Sequence, residues 1–229
     1  MSQIPNSFFV FTALVVVAFI VLSRTLHKND NADPVPANIM DASAWEIGPI
    51  IDGENLSSGV GLHPAESDDG LAVDIPHPPP ESGSVHYVTV PTASLTGKTK
   101  VTLVCELLMA EGVKLCPVKS PASPSLLTLY FQRKGDNWTG VGEFETYRWY
   151  ASFATQTDLT AKEYTIEARF DANWTAIQSS SRATQPEAFA AALANACRIG
   201  FVLGGGDGLG HGVFATGPAK LVIKSFRVE

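Results

Sequence analysis

Tyr164 to Phe170 reads YTIEARF. Successive side chains of an extended chain point to opposite faces, so Tyr164, Ile166, Ala168 and Phe170 share one side and Thr165, Glu167 and Arg169 the other. One face is core and the other wet, as in an antiparallel sheet with a single buried side. The same period recurs on both sides of this stretch. Val101, Leu103, Cys105 and Leu107 alternate with Thr102 and Glu106. Leu126 to Arg133 (LLTLYFQR) is apolar on both faces, as a strand at the centre of a sandwich should be. The connection between those two carries Pro117, Pro121 and Pro124 and has hairpin or Greek-key length.

Further out the pattern continues. Glu143 to Phe153 (EFETYRWYASF) reads as another strand, with Glu143, Glu145, Tyr147 and Trp149 on one side and Phe144, Thr146, Arg148 and Tyr150 on the other. Towards the N-terminus, Trp45-Glu46-Ile47 opens the domain, and Leu71 to Ile75 and Val85 to Val90 read as strands. Pro76-His77-Pro78-Pro79-Pro80 separates them, because proline cannot donate to a ladder. Towards the C-terminus, Thr184 as N-cap, Pro186 in the first turn and Glu187 three residues on predict one short helix through Ala196 over an end of the sandwich. Ile199 to Leu203, Val213 to Ala215 and Leu221 to Val228 complete the strands, with Gly204-Gly205-Gly206-Asp207-Gly208-Leu209-Gly210-His211-Gly212 between the first two. The fold class is mainly β: an antiparallel β-sandwich with one short helix over residues 45–229.

The N-terminal part follows different physics. Phe8 to Leu22 (FFVFTALVVVAFIVL) carries no charge. It covers about 22 Å as a helix, and Ile4 to Leu26 covers about 34 Å, against a hydrocarbon core of about 30 Å. Residues 1–28 therefore read as a single transmembrane anchor and 29–44 as a linker. A cleaved signal would have a basic start and a small-residue exit, whereas this run leaves through Ser23-Arg24-Thr25-Leu26-His27-Lys28. Arg24 and Lys28 favour a cytoplasmic C-terminus by the positive-inside rule, but two charges are a weak bias against a large following domain. The Gly- and Pro-rich, acidic β domain points to the extracytoplasmic side, which gives a single-pass protein of the inner membrane with a periplasmic sandwich. Phe8, Phe9, Phe11 and Phe19 are anchor residues facing lipid or neighbouring helices.

Composition narrows the function classes. A formal net charge of -7 argues against nucleic acid as partner. Three cysteines, Cys105, Cys116 and Cys197, exclude a full disulfide framework and leave either one Cys105–Cys116 bridge or three free thiols.

The closing stretch, with its strand, glycine-rich turn, Gly-His-Gly-Val, Gly-Pro and the strand AKLVIKSFRVE, resembles the last strands of the jelly-roll sandwiches in galactose-binding-like domains and many carbohydrate-binding modules. The likeness spans residues 45–229 in strand order and is most specific over 198–228. It implies a fold, and glycan binding as an expectation, but transfers no binding residue.

Candidate sites follow from residue chemistry. The glycine loop leads into a strand, so it is no phosphate cradle; its glycines serve tight turns and close packing, with Asp207 and His211 as candidate ligand contacts. The five histidines match no metal or catalytic spacing. Asp52-Gly53-Glu54-Asn55 and Asp68-Asp69-Gly70 are oxygen-rich turns able to donate to a structural calcium, although neither is an EF-hand loop. Glu143 and Glu145 share a strand face, a weak match to a glycosidase pair. Trp138 and Trp174 lie in Asp-Asn-Trp-Thr and Ala-Asn-Trp-Thr turns, where full burial is not expected, and they are the candidate glycan or partner contacts.

No enzyme is expected. The leading expectation is an accessory or scaffolding subunit of a larger membrane complex, photosynthetic or respiratory, whose partners are the bilayer and other membrane protein subunits. The alternative is a membrane-tethered carbohydrate-binding module.

Overall fold

The computed structural model describes residues 39–77, 80–206 and 208–229. The anchor expectation at 1–28, with Phe8, Phe9, Phe11 and Phe19, and the candidate contact Asp207 lie outside the described residues. Among the described residues no helix is long and apolar enough to cross a membrane.

In chain order the strands begin with β1 (Glu46–Gly48), β2 (Ile50–Ile51), β3 (Glu54–Asn55), β4 (Ala65–Ser67), β5 (Gly70–Ile75), β6 (Tyr87–Pro91), β7 (Lys100–Met109) and β8 (Leu115–Pro117). They continue as β9 (Ser125–Arg133), β10 (Arg148–Tyr150), β11 (Gln156–Thr157), β12 (Glu163–Arg169), β13 (Thr175–Ala176), β14 (Ala196–Gly205), β15 (Val213–Ala215) and β16 (Ala219–Val228). One α-helix, α1 (Pro186–Ala194), is present among the described residues.

Two antiparallel sheets organise these strands. A seven-stranded sheet has the order β1-β6-β14-β9-β10-β13, with β11 also on β9, and a five-stranded sheet has the order β12-β7-β16-β5-β4. The chain crosses repeatedly between them. Inward side chains of both, such as Val88, Leu129, Phe131 and Phe201 from one and Leu103, Ile166, Leu221 and Ile223 from the other, form a single buried core. The β12 alternation read from the sequence is present residue for residue, with Tyr164, Ile166 and Ala168 buried. Ile39, Met40 and Ala42 pack against this core, and Trp45 Nε1 donates to Ile39 O at 2.6 Å.

Several local expectations are corrected. Lys100–Met109 and Ser125–Arg133 are not a hairpin, because they belong to different sheets and the proline-rich segment between them crosses the sandwich. Glu143 to Phe153 is not one strand: a 3-10 turn (Gly142–Thr146), the short β10 and a second 3-10 turn (Ser152–Ala154) occupy it. Gly140 and Gly142, both at positive φ, curl the chain before β10. Glu143 and Glu145 are therefore not partners across a strand face, and Tyr147 Oη instead donates to Glu143 Oε2 at 3.2 Å.

Helix α1 starts later than its capping box predicts. Gln185 is the N-cap, and Thr184 is drawn into a turn with Ser181, whose carbonyl accepts from Thr184 Oγ1 at 3.2 Å and from Gln185 N at 2.8 Å. All three cysteines are free, so the bridged alternative for Cys105 and Cys116 is not taken. Cys105 is buried on β7, and burial pushes its thiol up to about 12.

The two outer faces differ. On the five-stranded sheet, Lys224 Nζ lies 2.7 Å from Glu106 Oε2 and 3.0 Å from Glu163 Oε2, and Lys100 Nζ lies 2.8 Å from Glu167 Oε2. That is an ordinary wet face, its exposed pairs screened by solvent. The outer face of the seven-stranded sheet is not wet.

Candidate functional site: an aromatic cleft on the larger sheet

Alternation along β6, β9, β10 and β14 sends Val88, Leu129, Phe131, Trp149, Ile199 and Phe201 into the core. It therefore sends Tyr87, Thr128, Tyr130, Gln132, Arg148, Tyr150, Arg198 and Val202 to the opposite face. Register then aligns them. Thr89, Gly200, Tyr130, Tyr150 and Thr175 are successive cross-strand partners, flanked by Tyr87-Val202-Thr128 on one side and Arg198-Gln132-Arg148 on the other.

The tyrosines form a second buried cluster, separate from the main core, on which Trp138, Ile177 and Leu209 pack. Ring centroids lie 5.0 Å apart for Tyr87 and Tyr130 and 5.3 Å apart for Tyr130 and Tyr150. The hydroxyls of Tyr87 and Tyr150 meet at 3.1 Å. Tyr130 Oη is buried and has no hydrogen-bond partner among the described residues. Burial, first among the causes, raises all three phenols above their ordinary range, so they are proton donors at any physiological pH.

Loops turn this platform into a cleft of about 850 Å³. The first carries Trp138. Asp136 accepts from Trp138 N at 3.1 Å and from Gln132 Nε2 at 2.9 Å. Its Oδ2 is also 2.9 Å from Arg148 Nε, an ion pair lying off the N–H direction rather than a hydrogen bond. Arg148 in turn donates to Trp138 O at 2.9 Å and lies 4.9 Å from the centre of the Trp138 ring. Trp138 is thus clamped edge-on to Tyr87 at 5.4 Å, with its backbone at φ 64°. Gln178, across the cleft, also has positive φ, 60°. Non-glycine residues in this region cost of order 1–3 kcal/mol each and persist where the surroundings over-determine them.

The second loop is the glycine-rich one. Gly210 lies over Tyr87 so closely that a Cβ would stand 2.5 Å from the Tyr87 hydroxyl, and at Gly212 it would stand 2.6 Å from His86 Nε2. Both have positive φ. The glycines let bare backbone rest on aromatic rings and bring Leu209 and His211 to the cleft. His86 and His211 are electrostatic neighbours, and burial first, then His211, push the His86 imidazole down to about 4. His86 is therefore neutral at pH 7. A hairpin completes the rim: Asp52 and Gly53, both at positive φ, join β2 to β3, and Ser57 Oγ accepts from His86 N at 2.9 Å.

No protein-family model, no curated protein and no solved structure matches this chain.

Of the residues singled out from sequence, the cleft gathers Trp138 and His211. Trp174 is corrected. It is fully buried in the main core, stacked on Phe170 at 5.6 Å with its Nε1 donating to Arg169 O at 2.8 Å, so it has no surface to offer a ligand. The two oxygen-rich turns are plain hairpin turns, and among the described residues no group of three or more His, Cys, Asp or Glu converges on a common point. Sequence reasoning missed Tyr87, Tyr130, Arg148, His86 and Gln178 as site residues. The available signal was a tyrosine on the non-core face of VHYVTV, LLTLYFQR and RWY alike.

Proposed function

We propose that the domain is a non-enzymatic glycan-binding module whose ligand lies in the cleft over the tyrosine platform. One observation carries this reading. An outer sheet face that solvent alone would leave charged and wet is an ordered aromatic row, roofed by loops that hold a part-exposed tryptophan in a strained backbone conformation. Trp138, part-exposed and held in place by the buried tyrosines beneath it, is the ring able to stack on a pyranose, and hydroxyl, guanidinium and imidazole groups of the cleft lining are suited to sugar hydroxyls. The cleft's volume falls in the range of sites for small ligands, roughly 300–1,000 Å³. The jelly-roll resemblance adds a fold-level argument of the same direction. The test is a glycan panel probed with the full-length chain and with Trp138→Ala. Binding of one glycan class that Trp138→Ala loses supports the reading; a wild-type chain that binds nothing sinks it.

A second reading, a membrane-anchored accessory subunit of an inner-membrane complex with its sandwich in the periplasm, draws on residues 8–22 and on one structural feature. Ile50, Leu56 and Leu62 expose aliphatic side chains along a single segment beside the cleft, a surface suited to another subunit. Stoichiometric co-migration with a larger complex in mild detergent supports it, and migration as a lone monomer sinks it.

A further inference from the structure

We infer that the cleft selects acidic glycans, pyranoses bearing a carboxylate or sulfate, over neutral ones; this rests on the glycan-binding reading. The argument is one of charge placement. The chain has 23 Asp and Glu against 16 Lys and Arg. On the outer face of the five-stranded sheet Asp74, Glu106, Glu163 and Glu167 each pair with a lysine, and a depression of about 780 Å³ there sets Asp74 and Glu106 beside Lys162 and Lys220. The described lining of the aromatic cleft has no such balance. Its described ionisable lining groups, phenols aside, are Lys119, Arg148, His86 and His211, all of which carry positive charge or none.

The polar groups are also of the right kind. Asp136, which pairs with Arg148, does not line this cleft; its side chain is 1% exposed, on the far side of Trp138. The guanidinium is thus held in place by a carboxylate that a ligand cannot touch. Lys119 is exposed on the rim and unencumbered by any ion pair among the described residues. Of the phenols, Tyr87 and Tyr150 line the cleft, and since their hydroxyls bond to each other one proton of the pair is left to donate. A cleft whose described lining residues offer cations and donors and no carboxylate serves an anion's oxygens, whereas a neutral sugar gains only the stacking and ordinary hydrogen bonds.

The experiment measures binding of the full-length chain to three oligosaccharides of equal length and linkage: a galacturonate oligomer, its carboxyl-reduced neutral counterpart, and the sulfated form of that neutral oligomer. Lys119→Glu, a change at an exposed rim position, is measured beside the wild type. The expected result is at least about tenfold tighter binding of one or both acidic oligomers than of the neutral one. The acidic affinity should fall several-fold between about 0.05 and 0.5 M NaCl, and the ratio of acidic to neutral affinity should shrink in Lys119→Glu. Which acidic oligomer leads identifies the anionic group. Equal or tighter binding of the neutral oligomer overturns this inference and leaves the glycan reading standing. Binding of none of the three, together with no hit on the wider glycan panel, overturns both.

Discussion

The Tyr87 and Tyr150 hydroxyls meet at 3.1 Å above a third phenol, Tyr130, whose own hydroxyl has no partner among the described residues. Removing one member of a buried hydrogen-bonded pair strands the other, whereas removing a hydroxyl that bonds to nothing removes only its desolvation cost. Tyr150→Phe should therefore lose about 1–2 kcal/mol of unfolding free energy, and Tyr130→Phe should be neutral or gain up to about 1 kcal/mol. Urea denaturation of the two variants checks the order. A Tyr130→Phe variant less stable than Tyr150→Phe would mean that the Tyr130 hydroxyl is satisfied.

The two turn tryptophans should separate by readout. Trp174→Ala empties a core site between Phe131, Phe170 and Phe189 and should cost about 3–5 kcal/mol. Trp138→Ala should remove ligand binding while leaving the core intact, with a stability change under about 2 kcal/mol, because alanine keeps the Cβ and so the backbone cost of φ 64° is unchanged. Equal destabilisation by both would mean that the Trp138 loop is part of the folding core.

At Gly210 an added methyl meets the Tyr87 ring and a left-handed backbone at once. Gly210→Ala should destabilise by about 1–3 kcal/mol and also weaken ligand binding, because relief requires the loop to lift from the platform. Gly97→Ala is the control. It shares the positive φ but has open space around it, so its cost should be the smaller and its effect on binding nil. Thermal melts and a binding isotherm on the two variants decide.

His86 supplies a pH signature. Its folded value of about 4 lies below the ordinary value of about 6.5, so the unfolded chain takes the proton first. The stability associated with a neutral His86 is fully present above about pH 6.5 and is lost as pH falls towards 4, by about 2–3 kcal/mol. Wild type and His86→Gln, compared at about pH 7.5 and 4.5, should differ in slope by that amount. Parallel pH profiles would show that the imidazole is solvated.

The β-rich architecture was legible because period-two burial is a local property. β7, β9, β12 and β16 each lie within a few residues of the stretches that predict them. The site was not, because a row such as Thr89-Gly200-Tyr130-Tyr150 exists only through registers between strands far apart in sequence. Glu143 to Phe153 misled for a related reason. Its alternating residues imitate a strand, but Gly140 and Gly142 turn the chain first, leaving three residues to pair. Trp138 and Trp174 share an Asn-Trp-Thr context and part only in space: one loop falls on the outer tyrosines and the other on Phe131 and Phe170.

Strand β16 is the middle member of the five-stranded sheet, bonded to β7 on one side and β5 on the other. During synthesis it leaves the ribosome after every strand it joins. Until then β7 and β5 each carry an unpaired edge rich in Val, Leu and Ile, and no neighbouring segment can close the gap. Closing the five-stranded sheet is therefore a long-range step, because β16 must insert between two strands far upstream of it before either inner edge is covered.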